Sequence, residues 1–334
     1  NFDCTWVDVF VYQQNLLRSS KSAFIYCEKN TKYEKMKILL LGANGQVGWE
    51  LRRSLAPLGK IRAYGLHTAN LQKLDDLSRL IREFSPDAIV NAAAYTSVDK
   101  AESELEQAFL VNSMAVDFLA KEAKLLNSWF IHYSTDYVFD GLKNVPYTET
   151  DKPNPQSVYG QTKYDGENSI KESNAKHIIF RTTWVYSKRG NNFLKSIIRL
   201  AKKQDELRVV CDQVGVPTSA ELIADVTALC LYHISQYKDS ALNLSGTYNL
   251  TPTGETSWYG FAQFIIAETL GLDDNFRASF ENIQAINTSD YPLPAKRPSN
   301  SLLDTKKICN TFNVSMPPWQ THVERLLKEL YPQK

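Results

Sequence analysis

The sequence predicts an α/β fold: a doubly wound parallel sheet with a smaller, irregular C-terminal lobe. Three observations carry this. A short apolar run, residues 38–41, ends in Gly42-Ala-Asn-Gly45-Gln-Val-Gly48 and passes into a helical pattern through Leu51, Leu55 and Leu58. Short apolar strands then alternate with amphipathic helices as far as about Trp184. Beyond that point the alternation weakens and turn signals gather at Thr251-Pro252, Pro292 to Pro298 and Pro317-Pro318. A strand apolar along its whole length is buried on both faces, as parallel strands are. Repeated strand–helix units stack into such a sheet.

The first turn is the most informative element. Its spacing is G-x-x-G-x-x-G. Glycine lets a backbone take positive φ, approach a diphosphate closely and pack the following helix against the strand. The helix N-terminus then offers unpaired N–H groups and a positive dipole end to phosphate. Gly42, Asn44, Gly45, Gln46, Val47 and Gly48 are therefore candidate dinucleotide-binding residues, and the sheet is read as Rossmann-like.

The other elements come in chain order. Residues 60–64 form a second strand, and residues 74–84 a helix broken by Ser85-Pro86-Asp87. A third strand at 88–90 runs into Asn91-Ala92-Ala93-Ala94-Tyr95-Thr96, where small residues either leave room for a ligand or pack the strand end tightly. A helix at 107–126 and a fourth strand at 129–134 come next. A helix beginning near Tyr159 and a strand at 178–180 extend the sheet. Beyond Trp184, helices are expected to 203, at 221–237, near 258–270 and at 321–330, with a strand at 207–211. The expected division is a nucleotide-binding domain of 36–183 plus about 216–250, and a substrate lobe of about 184–215 and 251–334.

Composition bounds the function. The 334 residues carry a formal charge of +1, so no basic surplus points to nucleic acid or an anionic membrane. Five scattered cysteines without a C-x-x-C pair suit a reducing compartment and argue against structural zinc. No apolar run approaches the roughly 20 residues needed to span a bilayer, so the reading is cytoplasmic. Residues 1–35 fit poorly with the remainder of the chain and are expected to be an extension ahead of Met36, outside the core fold.

Chemistry gathers later. Tyr159 and Lys163 stand four residues apart, on one helix face. An ammonium beside a phenol favours the phenolate, and such a pair can hand a proton to a carbonyl oxygen as hydride reaches its carbon. Ser134-Thr135-Asp136 ends the fourth strand, where a hydroxyl can bond that carbonyl or simply close the strand in a turn. A glycine turn, a hydroxyl after strand four and Tyr/Lys on the next helix form the ordered set of the short-chain dehydrogenase/reductases.

Longer stretches sharpen this. They are Ala92-Ala-Ala-Tyr-Thr-Ser-Val-Asp-Lys-Ala-Glu102, Ser134-Thr-Asp-Tyr-Val-Phe139, Val158-Tyr-Gly-Gln-Thr-Lys163, Phe180-Arg-Thr-Thr-Trp-Val-Tyr186, Gly190-Asn-Asn-Phe193, Asp212-Gln-Val-Gly-Val-Pro-Thr218 and Ala295-Lys-Arg-Pro-Ser-Asn-Ser301. Together they resemble the dTDP-4-dehydrorhamnose reductase family, from Met36 to the C-terminus. The resemblance implies reduction of a dTDP-4-keto sugar with NADPH or NADH. It implies Tyr159 as proton donor, Lys163 on the nicotinamide ribose, and Thr135 beside the reacting carbonyl. Asn70, Leu71, Ala92, Ala93, Ala94 and Thr96 would join the glycine turn around the dinucleotide. Val98, Asp136, Trp184 and Arg297 would join Thr135 and Tyr159 around the sugar, although Trp184 read alone fits a core as well as a pocket. The family also implies a homodimer with Mg2+ held by Glu50, Glu221 and Glu329, residues that unaided read as solvated surface glutamates.

The chain departs from the family after strand two, where Tyr64-Gly65 replaces the frequent acidic residue. Without that acid nothing repels a 2′-phosphate, which tilts the expectation to NADPH, with Arg62 or His67 in reach. Two rivals stand beside the reductase. A nucleotide-sugar dehydratase or epimerase is disfavoured because Tyr137 stands where a dehydratase has its second carboxylate. A regulatory subunit resembling the methionine adenosyltransferase β subunit would bind a dinucleotide without catalysis.

Overall fold

The computed structural model describes residues 35–237, 242–270, 272–273 and 275–332. The expected extension, Lys35 apart, lies outside the described residues. Met36–Lys334 forms one compact unit.

Its centre is a six-stranded, all-parallel sheet built from β1 (Met36–Leu41), β2 (Gly59–Tyr64), β3 (Ala88–Asn91), β4 (Trp129–Thr135), β5 (Lys176–Thr182) and a sixth strand, Gly246–Asn249, in the order sixth-β5-β4-β3-β1-β2. The order reverses at β1, which opens a crevice at the C-terminal strand ends. Along β1 the side chains alternate between two cores. Ile38 and Leu40 join Leu51, Ile223 and Leu231 on one face, and Leu39 and Leu41 join Leu77, Ile81 and Leu119 on the other. That is why the run carries no polar residue: neither face meets water.

Helices cover both faces. They include α1 (Gln46–Ser54), α2 (Leu74–Phe84), α3 (Ala115–Leu125), α4 (Val158–Glu172), α5 (Phe193–Ala201) and α6 (Ala220–Tyr237). The single helix expected over 107–126 is instead Leu105–Phe109 joined to α3 through a π-turn at Leu110–Met114. The wider turn rotates Asn112 inward, where its amide bonds the Tyr95 N–H at 2.9 Å and the Tyr95 carbonyl at 3.0 Å.

A second core joins Tyr186, Leu194 and Ile197 to Phe261, Ile265, Trp319 and Val323. Leu207–Val210 pairs there in parallel with Ile283–Ile286. Lys306–Phe312, although late in the chain, packs Ile308 and Phe312 against the sheet core. Among the described residues no helix is long and apolar enough to cross a membrane, and Cys211, Cys230 and Cys309 are free thiols.

Candidate active site

The crevice is a cleft of about 1180 Å³ running along the C-terminal ends of the strands. At its floor Gly42 has φ +80°, and a Cβ there would lie 2.5 Å from the Ala93 nitrogen. A Cβ on Gly48 would come within 2.0 Å of the Gly42 carbonyl, so helix and turn can close on each other only through glycine. Gly45 caps α1 without a side-chain bond, and the first turn holds no acidic residue. The helix therefore presents its N-terminal N–H groups and positive dipole end to the cleft, as an anion site requires.

Gly42, Asn44, Gly45, Gln46 and Val47 line the cleft, while Gly48 lies behind them. Gln46 is held from across it: Ser187 Oγ and Asn192 Nδ2 donate to its Oε1 at 3.2 and 2.9 Å. Arg189 Nε donates to the Asn44 carbonyl at 3.0 Å, with its guanidinium 4.1 Å over the Trp49 ring. The Gly190-Asn-Asn-Phe193 motif thus closes one rim.

Gly65 faces Asn44, and a Cβ at 65 would lie 2.3 Å from Asn44 Nδ2. An acid at this position would have to displace that side chain. His67, Thr68 and Lys73 line this end together with Asn70 and Leu71. Arg62 is not with them; its guanidinium sits 4.6 Å over the Phe84 ring. Ala92, Ala93, Ala94, Thr96 and Val98 form the opposite wall.

Tyr159 enters from the first turn of α4, which is capped by Ser157 Oγ accepting from Gly160 N–H at 3.1 Å and tied by Glu102 accepting from Val158 N–H at 2.9 Å. Burial pushes the phenol above its ordinary value, and the Thr135 hydroxyl, hydrogen-bonded to it, pulls the other way. Lys163 lines the same cleft. Its Nζ turns beneath the helix, donating to the Tyr133 carbonyl at 2.6 Å and meeting His132 Nε2 at 3.1 Å. One helix face is shared, as i,i+4 spacing dictates, but the long lysine side chain points inward.

Asp136 is buried beside Thr135, whose Oγ1 donates to Oδ1 at 3.0 Å. Burial raises this carboxyl to about 6, against the pull of the neighbouring Ser301 and Thr135 hydroxyls. Tyr137 packs edge-on to Tyr159, centroids 5.5 Å apart, and accepts from Arg297 Nη1 at 2.9 Å. Arg297 also pairs with Asp99 at 2.7 Å, so it acts at the rim through Tyr137. The position where a dehydratase has its second carboxylate is thus a phenol pinned by an arginine.

Trp184 holds a left-handed backbone, φ +47°, at the end of β5. Its ring stacks on Trp258 with centroids 3.5 Å apart, and its other edge leaves no room for a Cβ on Gly215. It lines the cleft as a fixed platform.

The expected magnesium ligands stand apart from this cleft and are bridged by cations of the protein itself. Arg325 Nε lies 3.4 Å from both Glu221 Oε2 and Glu329 Oε1, and Arg53 Nε lies 3.6 Å from Glu50 Oε2. Among the described residues no group of three His, Cys, Asp or Glu side chains is placed to hold a metal ion. Burial, with the neighbouring Glu329 and Glu50, nonetheless raises the Glu221 carboxyl, while Arg325 and Arg53 pull it down.

Comparison with known proteins decides the family. The RmlD substrate binding domain family matches residues 36–331. The dTDP-4-dehydrorhamnose reductase of Escherichia coli K12 is 45% identical over 300 residues, covering 89% of this chain and 98% of that protein. The chain belongs to the dTDP-4-dehydrorhamnose reductase family. A solved dTDP-4-dehydrorhamnose reductase from Bacillus anthracis, in complex with NADP, superposes with a TM-score of 0.80 at 33% identity, covering 88% of this chain and 99% of that one. One from Clostridium acetobutylicum gives 0.79 at 35%, with 88% and 99% covered. A member of this family is an oxidoreductase, and the regulatory-subunit reading loses its ground.

Sequence reasoning missed Asn112, His132 and the buried pair of Glu167 and Arg181. Asn112 and His132 sit inside helical and apolar runs where nothing local marks them.

Proposed function

We propose that the cleft reduces the 4-keto group of dTDP-4-dehydro-L-rhamnose to give dTDP-L-rhamnose. The observation that carries this reading is Tyr159: a phenol kept protonated by burial, beside Thr135, in the same cleft as the glycine turn. A reduced nicotinamide dinucleotide, when bound, supplies the hydride. The N-terminus of α1 and the glycine turn would hold its diphosphate, with Asn70 and Leu71 beside the adenine and Lys163 near the nicotinamide ribose.

In this reading the Thr135 hydroxyl turns its one hydrogen from Asp136 to the sugar's carbonyl oxygen, which the Tyr159 phenol bonds as well. Tyr159 gives that oxygen its proton as the carbon accepts hydride, which leaves an alcohol and a phenolate. Two hydrogen-bond donors aimed at the oxygen stabilise the charge that develops there. Asp136 would accept from a sugar hydroxyl, and Trp184 would offer its ring to the sugar or base. Arg297 steadies the Tyr137 wall. The protein is read as a cytoplasmic homodimer, a state that light scattering tests directly.

The test is loss of absorbance at 340 nm with the dTDP-4-keto sugar present. NADPH is expected to give a kcat/KM at least equal to that of NADH, because no carboxylate at 65 repels the 2′-phosphate and Lys73 and His67 line that end. A strong NADH preference would show that another group selects against phosphate. Oxidation of neither cofactor would remove the reaction itself.

A further inference from the structure

Lys163 does not stand alone under the cleft. It is the third of four buried groups drawn from β3, β4 and α4. The Ala93 N–H donates to Asn91 Oδ1 at 3.2 Å, and this orients the amide. Asn91 Nδ2 then faces His132 Nδ1 at 3.3 Å. An amide nitrogen can only donate, so Nδ1 accepts and the neutral ring carries its hydrogen on Nε2. That hydrogen points at Lys163 Nζ, 3.1 Å away, while Nζ donates to the Tyr133 carbonyl at 2.6 Å. The bonds run in one direction, from Asn91 through His132 and Lys163 to Tyr133. They do so only while Nζ keeps a lone pair, because an ammonium would set two hydrogens face to face at Nε2.

Resting on the assignment of Tyr159 and Lys163 to the reduction, we propose that His132 is a positioning residue for it: clamped by Asn91, it holds the Lys163 amine beneath the cleft and frees it toward ribose and phenol when Lys163 takes up a proton. The surroundings agree. Burial, reinforced by Lys163 once that lysine is charged, keeps His132 well below 6.5, so the ring stays neutral in either state of the lysine. Burial draws Lys163 down to about 8, with Glu167 pulling it back up. Glu167 is itself engaged by Arg181 from β5 and by Lys171 on its own helix, and Asn91 from β3 is neutral.

His132→Phe keeps a ring stacked near Phe130, whose centroid lies 6.0 Å away, but offers Lys163 nothing to bond. Losing a partner that favours the neutral amine should raise the alkaline limb of the kcat/KM profile by about half a unit to one unit, the size of one hydrogen bond. His132→Gln, whose amide can donate to Nζ, should return the limb toward its original position. A limb unmoved in His132→Phe, with kcat and NADPH affinity also unchanged, would reduce His132 to core filling. Should His132→Phe fail to fold, 15N NMR of the histidine rings in the unaltered protein decides: the inference expects His132 neutral and protonated on Nε2 above about pH 8, where Lys163 is an amine, and the Nδ1–H tautomer there overturns it. Lys163→Ala separates the two layers. If it keeps full activity the reading of the site fails; if it is inactive while His132→Phe is unmoved, only the role of His132 fails.

Discussion

Tyr159→Phe is expected to abolish reduction, lowering kcat by at least about 10²-fold to 10⁴-fold, the contribution of a well-placed general acid. Dinucleotide binding should be nearly unchanged, because the substitution removes one oxygen and leaves the ring packed edge-on to Tyr137. The protonation state makes the phenol suitable as a donor. Burial raises it above an ordinary tyrosine, so it keeps its proton throughout the neutral range and needs the carbonyl's developing negative charge to draw it off. The two acids nearest Tyr159 are poorly suited to take over. Tyr137 is tied to Arg297, and Asp136, raised to about 6, is largely ionised at pH 7.5. Turnover of Tyr159→Phe close to the unsubstituted enzyme, with tight NADPH binding by fluorescence, would remove Tyr159 from the mechanism. Loss of binding together with turnover would mean that it holds the dinucleotide instead.

Which features the sequence revealed, and which it hid, depends on the range of the interactions. The glycine turn is legible because much of its constraint is local: Gly42 takes φ +80°, and a Cβ on Gly48 would meet the Gly42 carbonyl within the same turn. The apolar strands are legible because burial on both faces writes itself into residues 38–41 of β1. The last strand, Gly246–Asn249, is not legible. It is four residues long, and its polar Asn249 is buried by donating to the Tyr147 and Asp304 carbonyls, about a hundred residues before it and some fifty after. The π-turn at Leu110–Met114 hides inside an ordinary helical period. The direction of Lys163 is hidden for a related reason. Spacing fixes which helix face a residue shares, but the end of a four-carbon side chain is set by whatever polar group lies within reach, here His132 and the Tyr133 carbonyl.

Arg181→Leu is expected to destabilise the protein by about 3–5 kcal/mol, the cost of leaving one member of a buried pair uncompensated. Arg181 on β5 meets Glu167 on α4 in a two-pronged contact, Nε to Oε1 at 2.8 Å and Nη2 to Oε2 at 2.6 Å, with both side chains almost wholly buried. Burial would push the Glu167 carboxyl up. The guanidinium, with Lys171 and the Ser134 hydroxyl at 2.6 Å, outweighs burial and holds it below the ordinary glutamate value. A carboxyl lowered in the folded state contributes stability above its unfolded pKa of about 4.3 and loses it as pH falls through the folded value. The deficit of Arg181→Leu in urea unfolding should therefore be largest at neutral pH and shrink as pH falls, first as burial protonates the unpartnered Glu167 and then through the folded value of the unsubstituted protein. Removing both charges, in Arg181→Leu/Glu167→Leu, should recover most of the loss, since apolar residues of similar volume replace such pairs at little cost. The site is coupled to the same pair. Ser134, which bonds Glu167, directly precedes Thr135 and Asp136, so kcat should fall in Arg181→Leu even at temperatures where it remains folded. A deficit under about 1 kcal/mol at pH 7 would place this pair with exposed surface bridges, which contribute little, and would leave the strand end beneath the cleft held by packing alone.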